Sequence, residues 1–251
     1  MTYLISWSAW SVGYYLGDDN IGIPFLLIGG FGPAIAGLII ERLNYSSDLI
    51  LKIFNLRSSL PNYFLSVLIF PIIFMILILF LVLYQGYPEP DFSQISMINL
   101  VFLILGNILF GGALGEEIGW RGFLLTKLKG QYSDIVSSVF VGITWALWHL
   151  PLFLTNTYHN PMMQYLVIVV LISFIFTFLL NRTINSIWPV VLLHASFNIS
   201  NMIIGRLFPE SDGILENDWN YFILLLLVII LFGYALKSLK TSNNEKQQQP
   251  R

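Results

Sequence analysis

The sequence contains no cysteine, and only 10% of its 251 residues are charged. Without cysteine the chain has no disulfide bonds, no thiolate metal ligands and no cysteine nucleophile. Soluble domains carry about 25% charged residues, so this chain has too little polar surface to cover a water-soluble globule. The formal net charge of −2 gives no reason to expect nucleic acid as a partner. The N-terminus lacks a basic stretch, so we expect no cleaved signal peptide.

Long apolar runs are what the sequence has in abundance, since 56% of its residues are hydrophobic. Within lipid, every backbone polar group has to be paired inside the chain, and solid apolar runs satisfy this need as helices. We therefore predict an all-α polytopic membrane protein with about eight transmembrane helices. The eight apolar segments lie at residues 3–16, 24–41, 63–84, 98–128, 135–154, 164–181, 187–205 and 221–236.

Short connections between these segments predict a single transmembrane domain over residues 1–240. The polar residues 241–251 are predicted to form a disordered cytoplasmic tail. Residues 42–62 place Asp48 and Lys52 among leucines, isoleucines and a phenylalanine. This stretch is either an amphipathic helix on the cytoplasmic surface or an ordinary loop.

Lysines and arginines are distributed unevenly between the loops. If the first segment begins inside the cell, one set of loops carries nearly all of them, and the other set carries only Arg206. Basic loops are retained in the cytoplasm. We therefore expect a multi-pass protein of the cell membrane with both termini in the cytoplasm.

Ionisable residues inside the apolar segments are few, and their cost in lipid makes them candidates for function. They fall in three of the predicted helices. The first of these contains Glu116, Glu117 and Arg121, the second contains His149, and the third contains His194 together with the amide residue Asn198. The remaining histidine, His159, falls in a predicted outer loop and is interpreted as a surface residue.

The fourth apolar segment contains two adjacent carboxylates. Glu117 and Arg121 are four residues apart, which predicts an ion pair and leaves Glu116 without a local partner. A carboxylate in low-dielectric surroundings is suited to proton transfer. Alternatively, the three charges only fix how the helix packs. Glycines spaced by four form a smooth stripe on this segment that lets another helix approach; they are Gly111, Gly115 and Gly119.

The histidines complete the candidate site. His194 and Asn198 project from one helical face, so both can donate hydrogen bonds toward a developing oxyanion, although interhelical packing is the alternative role. His149, beside Trp148, is on its own better explained as a hydrogen-bonded core residue. The common depth of Glu116, His149 and His194 in three helices favours a shared site.

Three motifs in this region resemble those of the CPBP (CAAX protease and bacteriocin-processing) family of intramembrane proteases. The first is Glu116-Glu117-x-x-x-Arg121, the second ends at His149, and the third runs from His194 to Asn198. The resemblance covers roughly residues 98–205. One departure is Trp145, which stands where the second motif of the family has phenylalanine.

The resemblance implies an intramembrane endopeptidase that cleaves a peptide or membrane-protein substrate within the bilayer. It implies that Glu116 activates a water molecule with the help of His149, and that His194 and Asn198 stabilise the oxyanion. Glu117 and Arg121 would then support the first motif.

Other interpretations stay open at this point. Glu116, His149 and His194 are a tentative set of zinc ligands, with water as the fourth, although we expect a metal-independent route. A membrane immunity or scaffold protein, as in bacteriocin self-immunity, would need no catalysis. A transporter would show repeated halves, and we find no clear repeat in the sequence.

Overall fold

The computed structural model describes residues 1–17, 19–44, 48–110, 112–158, 161–208 and 218–248. Every regular element in these ranges is helical, which confirms the predicted all-α architecture. The helices are α1 (Thr2–Leu16), α2 (Asp19–Gly30), α3 (Gly32–Leu43), α4 (Asp48–Phe54), α5 (Leu60–Gln85), α6 (Met97–Leu109), α7 (Ala113–Glu117), α8 (Thr126–Lys129), α9 (Asp134–Trp148), α10 (Leu150–Leu154), α11 (Met162–Asn181), α12 (Trp188–Leu207) and α13 (Asp218–Gln248), with a 3₁₀ turn at Phe92–Gln94 and a π-helix at Ile118–Leu125.

Each predicted apolar segment corresponds to one helix or to one interrupted helix. Within the described ranges, five stretches are long and apolar enough to cross a membrane: Leu60–Gln85, Met97–Lys129, Asp134–Leu154, Met162–Asn181 and Trp188–Leu207. A pair of helices bent by 49°, Gly22–Gly30 and Gly32–Leu43, adds a sixth if it is one span. The polytopic membrane architecture is therefore confirmed. The count of eight stays a prediction, because α1 has only 15 residues and the apolar part of α13 is also short.

The fourth apolar segment is interrupted twice. Between α6 and α7, Gly112 adopts a φ of +96°, which residues with a side chain rarely tolerate. After α7 the backbone changes to the π-helix before α8 resumes the α-helical form. Such π-helical segments are often found at functional sites.

The bend between α2 and α3 is packed against the interrupted helix. A Cβ atom at Gly119 would lie 2.4 Å from Pro33, and one at Gly115 would lie 3.0 Å from the carbonyl oxygen of Gly30. The close approach predicted from the glycine stripe is confirmed at these two positions. Gly111 lies outside the described residues, as does His159.

Helices α9 and α11 are joined by buried hydroxyl groups. Ser138 Oγ donates to Thr177 Oγ1 at 2.8 Å, and Ser173 Oγ donates to the carbonyl oxygen of Ser138 at 2.9 Å. Hydroxyl pairs of this kind hold helices together where lipid offers no hydrophobic drive between them. This seam fixes α9, which carries Trp145 and leads into His149.

The stretch predicted as either an amphipathic helix or a loop contains the helix α4. Leu49 is buried against Gly122 of the π-helix, and Lys52 Nζ donates to Thr126 Oγ1 at 3.0 Å. Burial lowers the pKa of Lys52, and the charge of Asp48 partly opposes that shift. The helical interpretation therefore holds for Asp48–Phe54, and a position on the cytoplasmic surface stays a prediction.

Helix α13 continues to Gln248 and so passes residue 240, after which the sequence predicts a tail. The disorder of residues 241–251 and the single-domain organisation over residues 1–240 stay predictions.

Candidate active site

The ionisable residues selected from the sequence are all buried in the helical bundle. Glu117 and Arg121 have no exposed surface, and Glu116, His149 and His194 are at most 6% exposed. Buried charges in lipid require partners, so the hydrogen bonds of these groups define the site.

Glu117 is the centre of a three-residue cluster. Its Oε1 atom accepts a hydrogen bond from Arg121 Nη1 at 2.9 Å, and the ion pair predicted from the i,i+4 spacing is thus present. The same oxygen accepts a hydrogen bond from His194 Nδ1 at 2.8 Å, which links α12 to α7. Glu117 therefore compensates the charge of Arg121 and also orients the imidazole of His194.

Two aromatic rings contact the guanidinium group of Arg121. Its Cζ atom lies 4.3 Å from the ring centroid of Trp145 and 4.6 Å from that of Phe176. Aromatic faces attract a cation, and more so where water is excluded. Arg121 thus connects the π-helix to α9 and α11 through these ring contacts, while its Nη1 atom is paired with Glu117.

Glu116 has a different set of neighbours. Its Oε2 atom accepts a hydrogen bond from Trp145 Nε1 at 2.5 Å. A Cβ atom at Gly112 would lie 2.3 Å from Glu116 Oε1, so the carboxylate occupies space that exists only because residue 112 is glycine. The glycine at the interruption between α6 and α7 thus leaves space for the carboxylate of Glu116.

His149 lies at the junction of α9 and α10. Pro151 has no N–H group and cannot continue α9, so the helix ends here. His149 Nδ1 lies 2.9 Å from the carbonyl oxygen of Trp145. Because a carbonyl oxygen only accepts, Nδ1 carries the proton, and in the neutral ring Nε2 keeps a lone pair for substrate or water.

Aromatic side chains surround the His149 ring. Ring centroids lie 4.7 Å away for Trp148, 5.1 Å for Tyr165 and 5.7 Å for Tyr158, the last nearly parallel to the imidazole. These rings restrict both the rotation of His149 and the access of bulk water, which strengthens electrostatic interactions inside the site.

Asn198 lies one helical turn after His194 on α12 and is half-buried. No hydrogen bond found in the described part of the chain ties its amide to the cluster. Its relation to the site is therefore the shared helical face with His194.

The tentative zinc ligands are not assembled as a metal site. Across the residues that the structure describes, no three His, Asp or Glu side chains form a group that could hold a metal ion. The Nδ1 atoms of His149 and His194 are each engaged by another group. No step of the route proposed below runs through a metal.

The sequence did not lead us to predict two features of the site. The hydrogen bond between His194 and Glu117 joins helices far apart in the chain, and no local pattern announces it. The role of Gly112 was also missed, although a glycine next to the break in an overlong apolar run was an available signal. Trp145 was noted only as a departure from the family motif.

Comparisons with known proteins agree with this geometry. The family described as type II CAAX prenyl endopeptidase Rce1-like matches residues 97–200. The chain is also 25% identical over 250 residues to a protein of Methanococcus maripaludis named CAAX prenyl protease 2. That similarity covers 91% of this chain and 90% of the relative. The motifs, the membrane helices and these matches together support a membrane-embedded peptidase that is similar to the CAAX prenyl endopeptidases.

Proposed function

We propose that the protein is an intramembrane endopeptidase in which Glu116 activates the water molecule that attacks a peptide bond. The observation that carries this proposal is the contrast in partners within one buried cluster. Glu117 is engaged by Arg121 and His194, whereas the hydrogen bond described for Glu116 comes from a neutral indole. Glu116 is therefore the carboxylate that can accept a proton without breaking an ion pair.

The reaction begins with the water molecule. Glu116 takes one proton from it, and His149 Nε2 helps to orient it, because the opposite ring nitrogen is held by a backbone carbonyl. The water oxygen then bonds to the carbonyl carbon of the substrate, and the carbonyl oxygen becomes an oxyanion. When the C–N bond breaks, Glu116 returns its proton to the departing amine nitrogen.

The oxyanion is stabilised from α12. His194 Nε2 and the side-chain amide of Asn198 donate hydrogen bonds toward it. Donation from Nε2 while Nδ1 donates to Glu117 requires the imidazolium form of His194, and the Glu117 carboxylate compensates that charge. Arg121 in turn holds Glu117 in place. No step of this route requires a metal ion.

The substrate we propose is a peptide or membrane protein that reaches the site within the bilayer. The name of the M. maripaludis relative makes prenylated peptides with a C-terminal CAAX sequence the first class to assay. The charge distribution supports a cell-membrane protein with both termini in the cytoplasm, since nearly all lysines and arginines fall in one set of loops.

The test is the substitution Glu116→Gln in purified protein, assayed with an internally quenched farnesylated CAAX peptide. We expect cleavage to be lost while the folded protein stays in the membrane fraction. Glu41→Gln is a matched control, because Glu41 is also a buried carboxylate but is paired with Lys127 at 3.0 Å instead. Cleavage by Glu116→Gln at the rate of the control would overturn the proposal, and a non-catalytic scaffold or immunity role would then be favoured.

A further inference from the structure

Trp145 contacts most of the groups in the candidate active site. Its Nε1 donates to Glu116 Oε2 at 2.5 Å, and its ring lies 4.3 Å from Arg121 Cζ. Its ring centroid is 5.2 Å from that of His194, and its backbone carbonyl accepts from His149 Nδ1 at 2.9 Å. Among these contacts, the hydrogen bond to Glu116 is the one that depends on the indole N–H.

We propose that Trp145 is a positioning residue that fixes the carboxylate of Glu116 through its indole N–H and leaves Oε1 as the oxygen that accepts the proton from water. This inference rests on the proposed role of Glu116 as the base. It assigns different tasks to the two oxygens of one carboxylate.

The geometry explains why such a device is needed. The terminal torsion of a glutamate side chain has broad, weak minima, so a carboxylate without a fixed donor rotates easily. The break at Gly112 opens space beside Oε1 and provides no side chain there to hold it. The indole N–H is rigidly mounted, because the Trp145 ring is packed against both Arg121 and Phe176. Catalytic rates depend strongly on such orientation.

The residue type at position 145 separates two possible tasks of this side chain. Phenylalanine, the residue of the family motif, would keep an aromatic face against Arg121 but would lose the N–H donor. If Trp145 acts only by packing, Trp145→Phe should preserve its role. If it acts through the hydrogen bond to Glu116, Trp145→Phe should abolish that role.

The first measurement compares kcat and KM of Trp145→Phe with those of Trp188→Phe, using the same quenched farnesylated peptide. Trp188 is a matched control because its Nε1 also donates a hydrogen bond, to the carbonyl oxygen of Ile53 at 2.8 Å. We expect kcat of Trp145→Phe to fall about 10- to 100-fold with KM nearly unchanged, because a hydrogen bond to a charged group has been removed from the reacting carboxylate. Trp188→Phe should retain the wild-type kcat.

A second measurement needs no substrate. In a ¹H–¹⁵N spectrum of the detergent-solubilised protein, the indole signal that disappears in Trp145→Phe identifies Trp145. An N–H that donates to a carboxylate resonates downfield, and we expect this signal to move upfield in Glu116→Gln. A signal that stays in place in Glu116→Gln would overturn the hydrogen bond and the inference with it.

The outcomes separate the inference from the function on which it rests. If Glu116→Gln still cleaves the peptide, the proposed function fails. If Glu116→Gln is inactive but Trp145→Phe keeps the wild-type kcat, the function stands and the positioning role of Trp145 is wrong.

Discussion

Glu116 and Glu117 are consecutive residues, yet their side chains lie in opposite surroundings. Glu117 has no exposed surface and is bound by a guanidinium and an imidazole. Glu116 is bound by an indole on one oxygen and lies beside a glycine on the other. Consecutive helical residues point about 100° apart, so one helix presents a carboxylate to each environment.

On the proposed mechanism, this difference explains how Glu116 could serve as a base inside the bilayer. The carboxylate of Glu117 is paired with a guanidinium and hydrogen-bonded to an imidazole, so taking up a proton would leave the buried charge of Arg121 without compensation. A carboxylate held by a neutral donor is oriented and remains able to exchange a proton. We therefore expect the contacts of Glu117 to stabilise the helix packing and Glu116 to take part in the reaction.

The largest effect should come from Glu116→Gln. The amide preserves the size of the side chain but cannot accept a proton from water, so the cleavage rate should fall about 10²- to 10⁴-fold. Thermal unfolding of the purified variant should remain close to that of the wild type. A variant that loses stability as much as activity would contradict the division of roles between the two carboxylates.

Glu117→Gln should lower the folding stability, which Glu116→Gln leaves nearly unchanged. It leaves Arg121 buried without its carboxylate partner, which typically costs about 3–5 kcal/mol in folding stability. Thermal unfolding in detergent measures this loss. The activity should fall below the remaining folded fraction, because a neutral amide cannot compensate the imidazolium that we propose for His194. Glu41→Gln is again the control, because the side chain of its partner Lys127 is 47% exposed and water can solvate that charge, so the loss of stability should be smaller.

Gly112→Ala tests whether the space beside Glu116 is needed for activity. The added Cβ would lie 2.3 Å from Glu116 Oε1, and the φ of +96° is strained for alanine. We expect about a 10²-fold loss of kcat from the displaced carboxylate. Gly106→Ala on α6 is the matched control, because a Cβ there meets nothing within 4 Å and should leave the rate unchanged.

The smallest effect should come from chelation. If the Glu116 route operates without a metal, then EDTA or 1,10-phenanthroline should leave the cleavage rate unchanged, and purified active protein should contain no stoichiometric zinc. Loss of activity on chelation, with recovery on addition of zinc, would restore the metal set of Glu116, His149 and His194.

The sequence was sufficient for the helices and for the local pairing within one helix. Long apolar runs predicted the membrane helices, and the i,i+4 spacing predicted the contact between Glu117 and Arg121. What could not be predicted were contacts that depend on how helices are arranged in space. The bond from His194 to Glu117 and the bond from Trp145 to Glu116 span 77 and 29 residues of chain. The boundary of the π-helix also escaped prediction, because no residue pattern distinguishes it from an α-helix.

The packing of the Gly30–Pro33 bend against Gly115 and Gly119 has a consequence for biosynthesis. The N-terminal helices emerge from the ribosome first. The bend between α2 and α3 is therefore made before the helix that carries Gly115 and Gly119 is synthesised. His194 arrives only with α12, the penultimate helix of the chain. A nascent chain therefore lacks His194, the oxyanion donor that we propose, until α12 has been synthesised, so we expect chains truncated before α12 to be inactive.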